Sequence, residues 1–216
     1  LYHDSGTQNS ESVLHAETVH KERLRVQKLQ QEMLLLNEQL MVQSQHDALT
    51  GLPNRAYLNN YAEETLSKAL KNQVNFGIEI LDIDFFKSVN DTYGHMEGDH
   101  YLTAVADLLS RITEEYSNVF AARYGGDEFV LVYYDKSVDE IKEIMNQLKL
   151  STVSVKLPAI SQLGEDHVTL SQGCCNRIPE PLNRLWDYLA RADTVLYDVK
   201  KKGKNNYKVS ERFKKA

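Results

Sequence analysis

Cysteine is nearly absent from this chain: only Cys174 and Cys175 occur among 216 residues, side by side. That makes neither a disulfide framework nor a metal-ligand spacing, and it fits a reducing compartment. Basic charge is also short. Lys and Arg total 25 against 31 Asp and Glu, a formal net charge of −6, which argues against a dedicated nucleic-acid binder. No apolar run approaches the roughly 18 residues needed to cross a bilayer. The longest candidate, Met33-Leu34-Leu35-Leu36, sits inside a polar stretch, and no signal peptide is visible. What is present suffices for a sizeable core, with 42% hydrophobic and 26% charged residues. The length suits one domain plus an appendage. Because the chain starts at Leu1 rather than Met, it is expected to be a fragment. It is expected in the cytoplasm, on its own or as the cytoplasmic part of a membrane-anchored sensor.

Residues 1–12 are polar and without period, a frayed end. Residues 13–46 contain no Gly or Pro, and Val19, Val26, Leu29, Met33, Leu36 and Leu40 follow steps of three and four, with Glu22 and Gln43 as polar interruptions. That a/d seam predicts a coiled-coil helix that dimerises the chain; the alternative is one amphipathic helix folded back on its own domain. A globular domain is expected over 47–210 and a basic tail over 211–216. Asn54 is a candidate N-cap for a helix over 55–70. Strands are expected at 76–83, 119–124, 128–134, 152–156, 167–174 and 206–209, and helices at 98–116, 137–150 and 182–201. The alternation implies an α+β or α/β sandwich, one sheet with helices against it.

Two stretches carry the chemistry. Leu81-Asp82-Ile83-Asp84-Phe85-Phe86-Lys87 closes an apolar strand, and Arg123-Tyr124-Gly125-Gly126-Asp127-Glu128-Phe129 crosses an expected hairpin. On a continuing strand Asp82 and Asp84 share one side. If the two strands are neighbours, three or four carboxylates converge, and a divalent cation relieves their repulsion. Oxygen ligands suit Mg2+ or Mn2+, and no Cys or His cluster competes for zinc. Gly125-Gly126 leaves room for a bulky ligand. Taken singly, an Asp-x-Asp is more often a solvated turn, Gly-Gly-Asp a plain hairpin connection, and Lys87 a surface lysine. Together they point to metal-assisted chemistry on a nucleoside triphosphate.

Gly125-Gly126-Asp127-Glu128-Phe129 resembles the signature of the GGDEF domain of bacterial diguanylate cyclases. Further matches are Asp47-Ala48-Leu49-Thr50-Gly51-Leu52-Pro53-Asn54-Arg55, the segment 82–99, and 192–205, so the resemblance covers about 47–209. It implies an α+β fold like nucleotidyl cyclases and polymerase palms, with a central, mainly antiparallel sheet surrounded by helices. It implies condensation of two GTP molecules into cyclic di-GMP with release of two pyrophosphates. Carried over, Asp82, Asp127 and Glu128 would bind two metal ions, Mg2+ or Mn2+, with the backbone carbonyl of Ile83. Asp127 would also accept the ribose 3′-hydroxyl proton. Phe85 and Phe86 would offer amides to phosphate, and Lys87 would stabilise the transferring phosphoryl group. Asn90 and Asp99 would read guanine, His95 would lie close to the nucleotide, and Lys200 and Lys204 would hold the triphosphate tail. The chemistry agrees: attack on an α-phosphate builds negative charge that metals and lysines answer.

The chain departs from the family at several points. The inhibitory Arg-x-x-Asp product site would begin at Tyr116 and end at Val119, so it is absent. Lys204 stands where an arginine is usual and keeps the charge without the bidentate fork. Gln172 stands where an apolar residue is common. The expected activity needs two domains face to face, held by the N-terminal helix and tuned by an upstream sensor. The alternatives are a catalytically silent GTP- or dinucleotide-binding module and a related cyclase making an adenine-containing product.

Overall fold

Strand β1 (Phe76–Ile83) is buried along its whole length, which makes it the middle of the sheet rather than an edge. The structure is a computed structural model and describes residues 19–37, 45–155 and 167–213. The chain divides into two units, Leu1–Ser44 and Gln45–Ala216. In the first, residues 19–37 form helix α1. Its seam residues Val19, Val26, Leu29, Met33 and Leu36 are all exposed. Leu40 and the rest of the expected helix, 13–18 and 38–44, lie outside the described residues.

In the second unit the elements run α2 (Arg55–Asn72), β1, α3 (Phe86–Tyr93), α4 (His95–Glu115), β2 (Val119–Gly125), β3 (Glu128–Tyr134), α5 (Val138–Ser151), β4 (Leu170–Arg177), α6 (Leu185–Lys201) and β5 (Tyr207–Ser210). The sheet order is β2-β3-β1-β4-β5. Among the described residues only β4 and β5 run parallel; the other pairs are antiparallel. The mainly antiparallel, helix-covered α+β architecture is as expected.

Period two sorts the core. Leu81, Ile83, Phe129, Leu131 and Leu170 pack with Val105, Leu109, Ile144 and Met145 of α4 and α5. Phe76, Ile78, Ile80, Val130 and Val132 face the other way, onto Leu58 and Leu66 of α2 and Tyr188 and Leu196 of α6. Each such side chain, fully buried, contributes roughly 1.5–3 kcal/mol. Helix α6 comes unusually close to the sheet at Gly173, where an added Cβ would stand 2.2 Å from the backbone nitrogen of Leu196. That approach fixes the height of α6, whose last turn carries Lys200.

Local signals explain most boundaries. Asn54 caps α2 by accepting from the amides of Ala56 and Tyr57, and Ser137 and Glu140 form a capping box on α5. Several expectations are corrected. Helix α3 was not foreseen: it starts on Phe85 in the left-handed region (φ 61°) with no side-chain cap, so it lacks the usual start signal. Helix α4 begins at His95, three residues before the expected 98. The strand expected at 152–156 is a 3-10 turn over Thr152–Ser154, with residue 156 outside the described residues. There Thr152 Oγ1 donates to the carbonyl of Lys149 and Ser154 Oγ to that of Ser151, so the hydroxyls continue the turn against β propensity. Strand β4 and helix α6 each start three residues later than expected.

Candidate active site

The register of β1 against β3 sets Asp82 directly opposite Glu128. The hairpin closes at Gly125↔Glu128, leaving Gly126 and Asp127 at its tip. Gly126 takes φ 57°, a conformation that a side chain disfavours. The Ile83 amide donates to the Asp127 carbonyl at 3.4 Å, stitching the tip to the end of β1. Asp82, Asp127 and Glu128 therefore share one end of the sheet, with Ile83 buried behind them.

Their electrostatics show the crowding. Burial pushes the Asp82 carboxyl up to about 6; the hydrogen bond from Lys200 opposes this, and the Asp127 charge adds to it. Glu128 is also raised, by burial first, with Lys200 and Arg55 pulling down and Asp127 and Asp193 pushing up. Lys200 Nζ lies 2.7 Å from Asp82 Oδ2. Among the described residues no three Asp, Glu, His or Cys side chains already stand close enough to hold a metal. The donors nonetheless fit a hard divalent cation: all oxygen, crowded enough to raise two of the carboxylates, and open at the hairpin tip.

Asp84 behaves differently from its neighbour two residues back. The strand ends at Ile83, and Asp84 Oδ2 accepts from Thr169 Oγ1 at 2.9 Å and from the Asn205 amide at 2.9 Å. Its Oδ1 accepts from Ser171 Oγ at 2.7 Å. It is a structural anchor for the turn between α6 and β5, so the fourth carboxylate does not join the others. In that turn Gly203, Lys204 and Asn205 all have positive φ. The turn places Lys204 Nζ 3.8 Å from the Phe85 ring centroid, beside the first turn of α3, where helix amides lack intrahelical partners. Lys87 is exposed in that turn.

Asn90, on α3, and Asp99, on α4, form a second group. The Asn90 amide oxygen lies 2.0 Å from where a Cβ on Gly98 would stand. It is buried and has no hydrogen-bond partner in the structure, an acceptor waiting for a donor. Asp99 and His95 are exposed.

Sequence reasoning missed a clamp behind the hairpin. Arg123 donates from Nε and Nη2 to the Gly126 carbonyl at 3.2 and 2.8 Å. Its Nη1 donates to Asp47 Oδ1 at 2.9 Å, and its backbone amide to the Pro53 carbonyl. Burial pushes the Asp47 carboxyl up, but hydrogen bonds from Arg123 and Thr50 outweigh it and hold it below the usual range. The signal was in the sequence, as an arginine two residues before Gly125. Gln172 also finds a reason: its Nε2 donates to the Met145 carbonyl at 3.0 Å, tying β4 to α5. Cys174 and Cys175 are buried free thiols, and burial pushes the Cys175 thiol up to about 12. Among the described residues no helix is long and apolar enough to cross a membrane.

Comparison with known proteins adds to this geometry. Residues 44–206 match the model of the family described as diguanylate cyclase, GGDEF domain. Diguanylate cyclase DgcZ of Escherichia coli K12 is 33% identical over 167 residues, covering 77% of this chain and 53% of that protein. The chain thus spans about half the length of that relative. The coiled coil and GGDEF domain of DgcB from Caulobacter crescentus, solved with c-di-GMP, superimposes with a TM-score of 0.73 at 29% identity, over 93% of this chain and 98% of that one. The GGDEF domain of DgcB alone gives 0.70 at 29% identity, over 78% and 94%.

Proposed function

The chain belongs to the GGDEF domain family of diguanylate cyclases, and on that premise we propose that it condenses two GTP molecules into cyclic di-GMP, releasing two pyrophosphates. The observation that carries this reading is the cluster of Asp82, Asp127 and Glu128 at one sheet end, flanked by Lys200. Asp82, Asp127, Glu128 and the Ile83 carbonyl hold the divalent cations, Mg2+ or Mn2+. When bound, these ions neutralise the triphosphate and lower the pKa of the attacking hydroxyl. Asp127 accepts the ribose 3′-hydroxyl proton. The amides of Phe85 and Phe86 at the start of α3 meet phosphate oxygens, and Lys87 stabilises the charge that builds on the transferring group. Lys200 and Lys204 hold the leaving pyrophosphate. Asn90 and Asp99 read the guanine edge: Asp99 accepts from N1–H and N2–H2, a donor pair that adenine lacks. The buried, unpartnered oxygen of Asn90 supports a ligand donor at that place. His95 lines the nucleotide.

One such site holds one GTP, so the reaction requires two copies facing each other. The exposed seam of α1 supports dimerisation through that helix, which raises effective concentration and gives an upstream sensor a handle on orientation. Where the inhibitory product site would stand, the Tyr116 hydroxyl donates to Gln147 and Val119 is buried. This supports the lack of product inhibition by that route. A cyclic di-GMP titration detected beside Tyr116 by calorimetry would refute that part.

The test is to incubate the protein with GTP, ATP and Mg2+ and to identify products by chromatography and mass. Cyclic di-GMP is expected from GTP alone, and Asp127→Asn abolishes it. Bound GTP with no product in the wild type identifies a silent module instead, and an adenine-containing product overturns the guanine assignment. Deleting residues 1–44, which spares Gln45, is expected to lower specific activity at low protein concentration; unchanged activity at every concentration sinks the coupling through α1.

A further inference from the structure

The ammonium of Lys200 sits 2.7 Å from Asp82 Oδ2, on a carboxylate that the reading above gives to the metal. The Asp82 side chain is 12% exposed and that of Lys200 32% exposed, so the contact is far from a loose surface pair. Lys200 also acts electrostatically on Glu128, the residue opposite Asp82 in the sheet. It leaves from the last turn of α6, and the backbone there is held against β4 by the close approach at Gly173.

We propose that Lys200 competes with the divalent cation for Asp82 and yields only when nucleotide phosphates offer it a new partner. This makes cation binding depend on the nucleotide. The inference rests on the phosphate-binding role assigned to Lys200 above. A cation arriving alone must break a charge-assisted hydrogen bond. It also leaves a displaced ammonium facing a dication with no anion between them. A cation arriving with a triphosphate brings that anion, and the lysine exchanges a carboxylate oxygen for a phosphate oxygen. The two affinities are linked through one side chain, and the linkage is reciprocal. Lys200 is then a positioning residue before the chemistry as well as a contact during it.

The test measures Mn2+ alone by the loss of its free-ion paramagnetic resonance signal, on wild type, Lys200→Met and Lys200→Arg. The Lys200→Met variant is expected to bind Mn2+ without nucleotide roughly tenfold to a hundredfold more tightly than wild type, the range set by one hydrogen bond to a charged group. Lys200→Arg, which keeps the competing charge, is expected to stay near wild type. In the same samples with a non-reacting GTP analogue, Lys200→Met is expected to bind the nucleotide more weakly. Unchanged or weaker binding of Mn2+ alone by Lys200→Met overturns the proposal. If wild type fails to bind the analogue, the cyclase reading fails while the Mn2+ comparison still decides the competition. Circular dichroism establishes that each variant is folded. Lys200→Gln carries the same expectation and the same overturning result if the methionine variant does not fold.

Discussion

The middle of β1 and its end handle carboxylates in opposite ways. In the middle, Glu79 is fully buried; one oxygen accepts from the Tyr133 hydroxyl and the other has no partner in the structure. Burial pushes its carboxyl up to about 8, against the pull of Tyr133, so at neutral pH it is mostly the neutral acid. At the strand end, Asp82 is held by an ammonium. Asp84, one residue past the strand, is saturated by three neutral donors. The difference teaches that residue type does not assign a role. What decides it is whether the surroundings supply a charge, a set of dipoles, or a single hydroxyl.

Substitutions at the three positions separate these cases. Asp84→Ala is expected to have the largest effect on stability, on the order of 3 kcal/mol or more, because it strands hydrogen-bond donors that met a charged acceptor. Denaturant midpoints measure it, and a shift below ~1 kcal/mol would show that the anchor is dispensable. The activity of this variant is also expected to fall, since the turn bearing Lys204 is tied through Asn205 to Asp84.

Glu79→Gln comes next, and its signature lies in pH. The folded-state value of about 8 stands above the ordinary 4.5. Below 4.5 both states carry the proton. Between 4.5 and 8 only the unfolded chain has released it, so stability falls as pH rises through that window and levels off beyond it. The difference in unfolding free energy between Glu79→Gln and wild type is expected to shift in favour of the variant by ~3 kcal/mol from pH 5 to pH 8. A constant difference across that range would mean that Glu79 is ionised in the fold.

Asp82→Asn is expected to change stability least, within about 1 kcal/mol, since losing the bond from Lys200 is offset by no longer burying a charge and by relief of repulsion from Asp127. Its turnover of GTP is nevertheless expected to vanish. A large loss of stability would move Asp82 into the structural class with Asp84.

Much of this was legible in the sequence. The run Phe76–Ile83 announced a strand, Asn54 and Ser137 announced helix starts, and the two acidic stretches announced a shared sheet end if their strands were neighbours. Asp84 was legible only as a residue two places from Asp82, because period two holds only while a strand lasts and this one stops at Ile83. Helix α3 was hidden for a related reason: Phe85, which opens it, adopts a conformation that its side chain gives no cause to expect. The bonds from Arg123 to Gly126 are local, but the one to Asp47 joins residues 76 positions apart, a separation that no local pattern encodes. The guanine-reading role proposed for Asn90 and Asp99 rests on the family resemblance, not on any local pattern around the two residues.

That clamp also sets where the molecule can be cut and rejoined. Asn54 donates its amide to the Gln45 carbonyl, Asp47 donates its own to that of Leu52, and Arg123 carries the connection to the hairpin tip. The segment from Gln45 to Asn54 is therefore part of the foundation of the β2–β3 hairpin, although it precedes α2. A fusion joined ahead of Gln45 keeps that foundation, whatever module is placed upstream. A fusion joined at Arg55 keeps α2 and everything after it, yet removes the Asp47 carboxylate and the Pro53 carbonyl that hold Arg123, the residue bonded to the tip. Modularity here has an address, written in hydrogen bonds rather than in secondary structure.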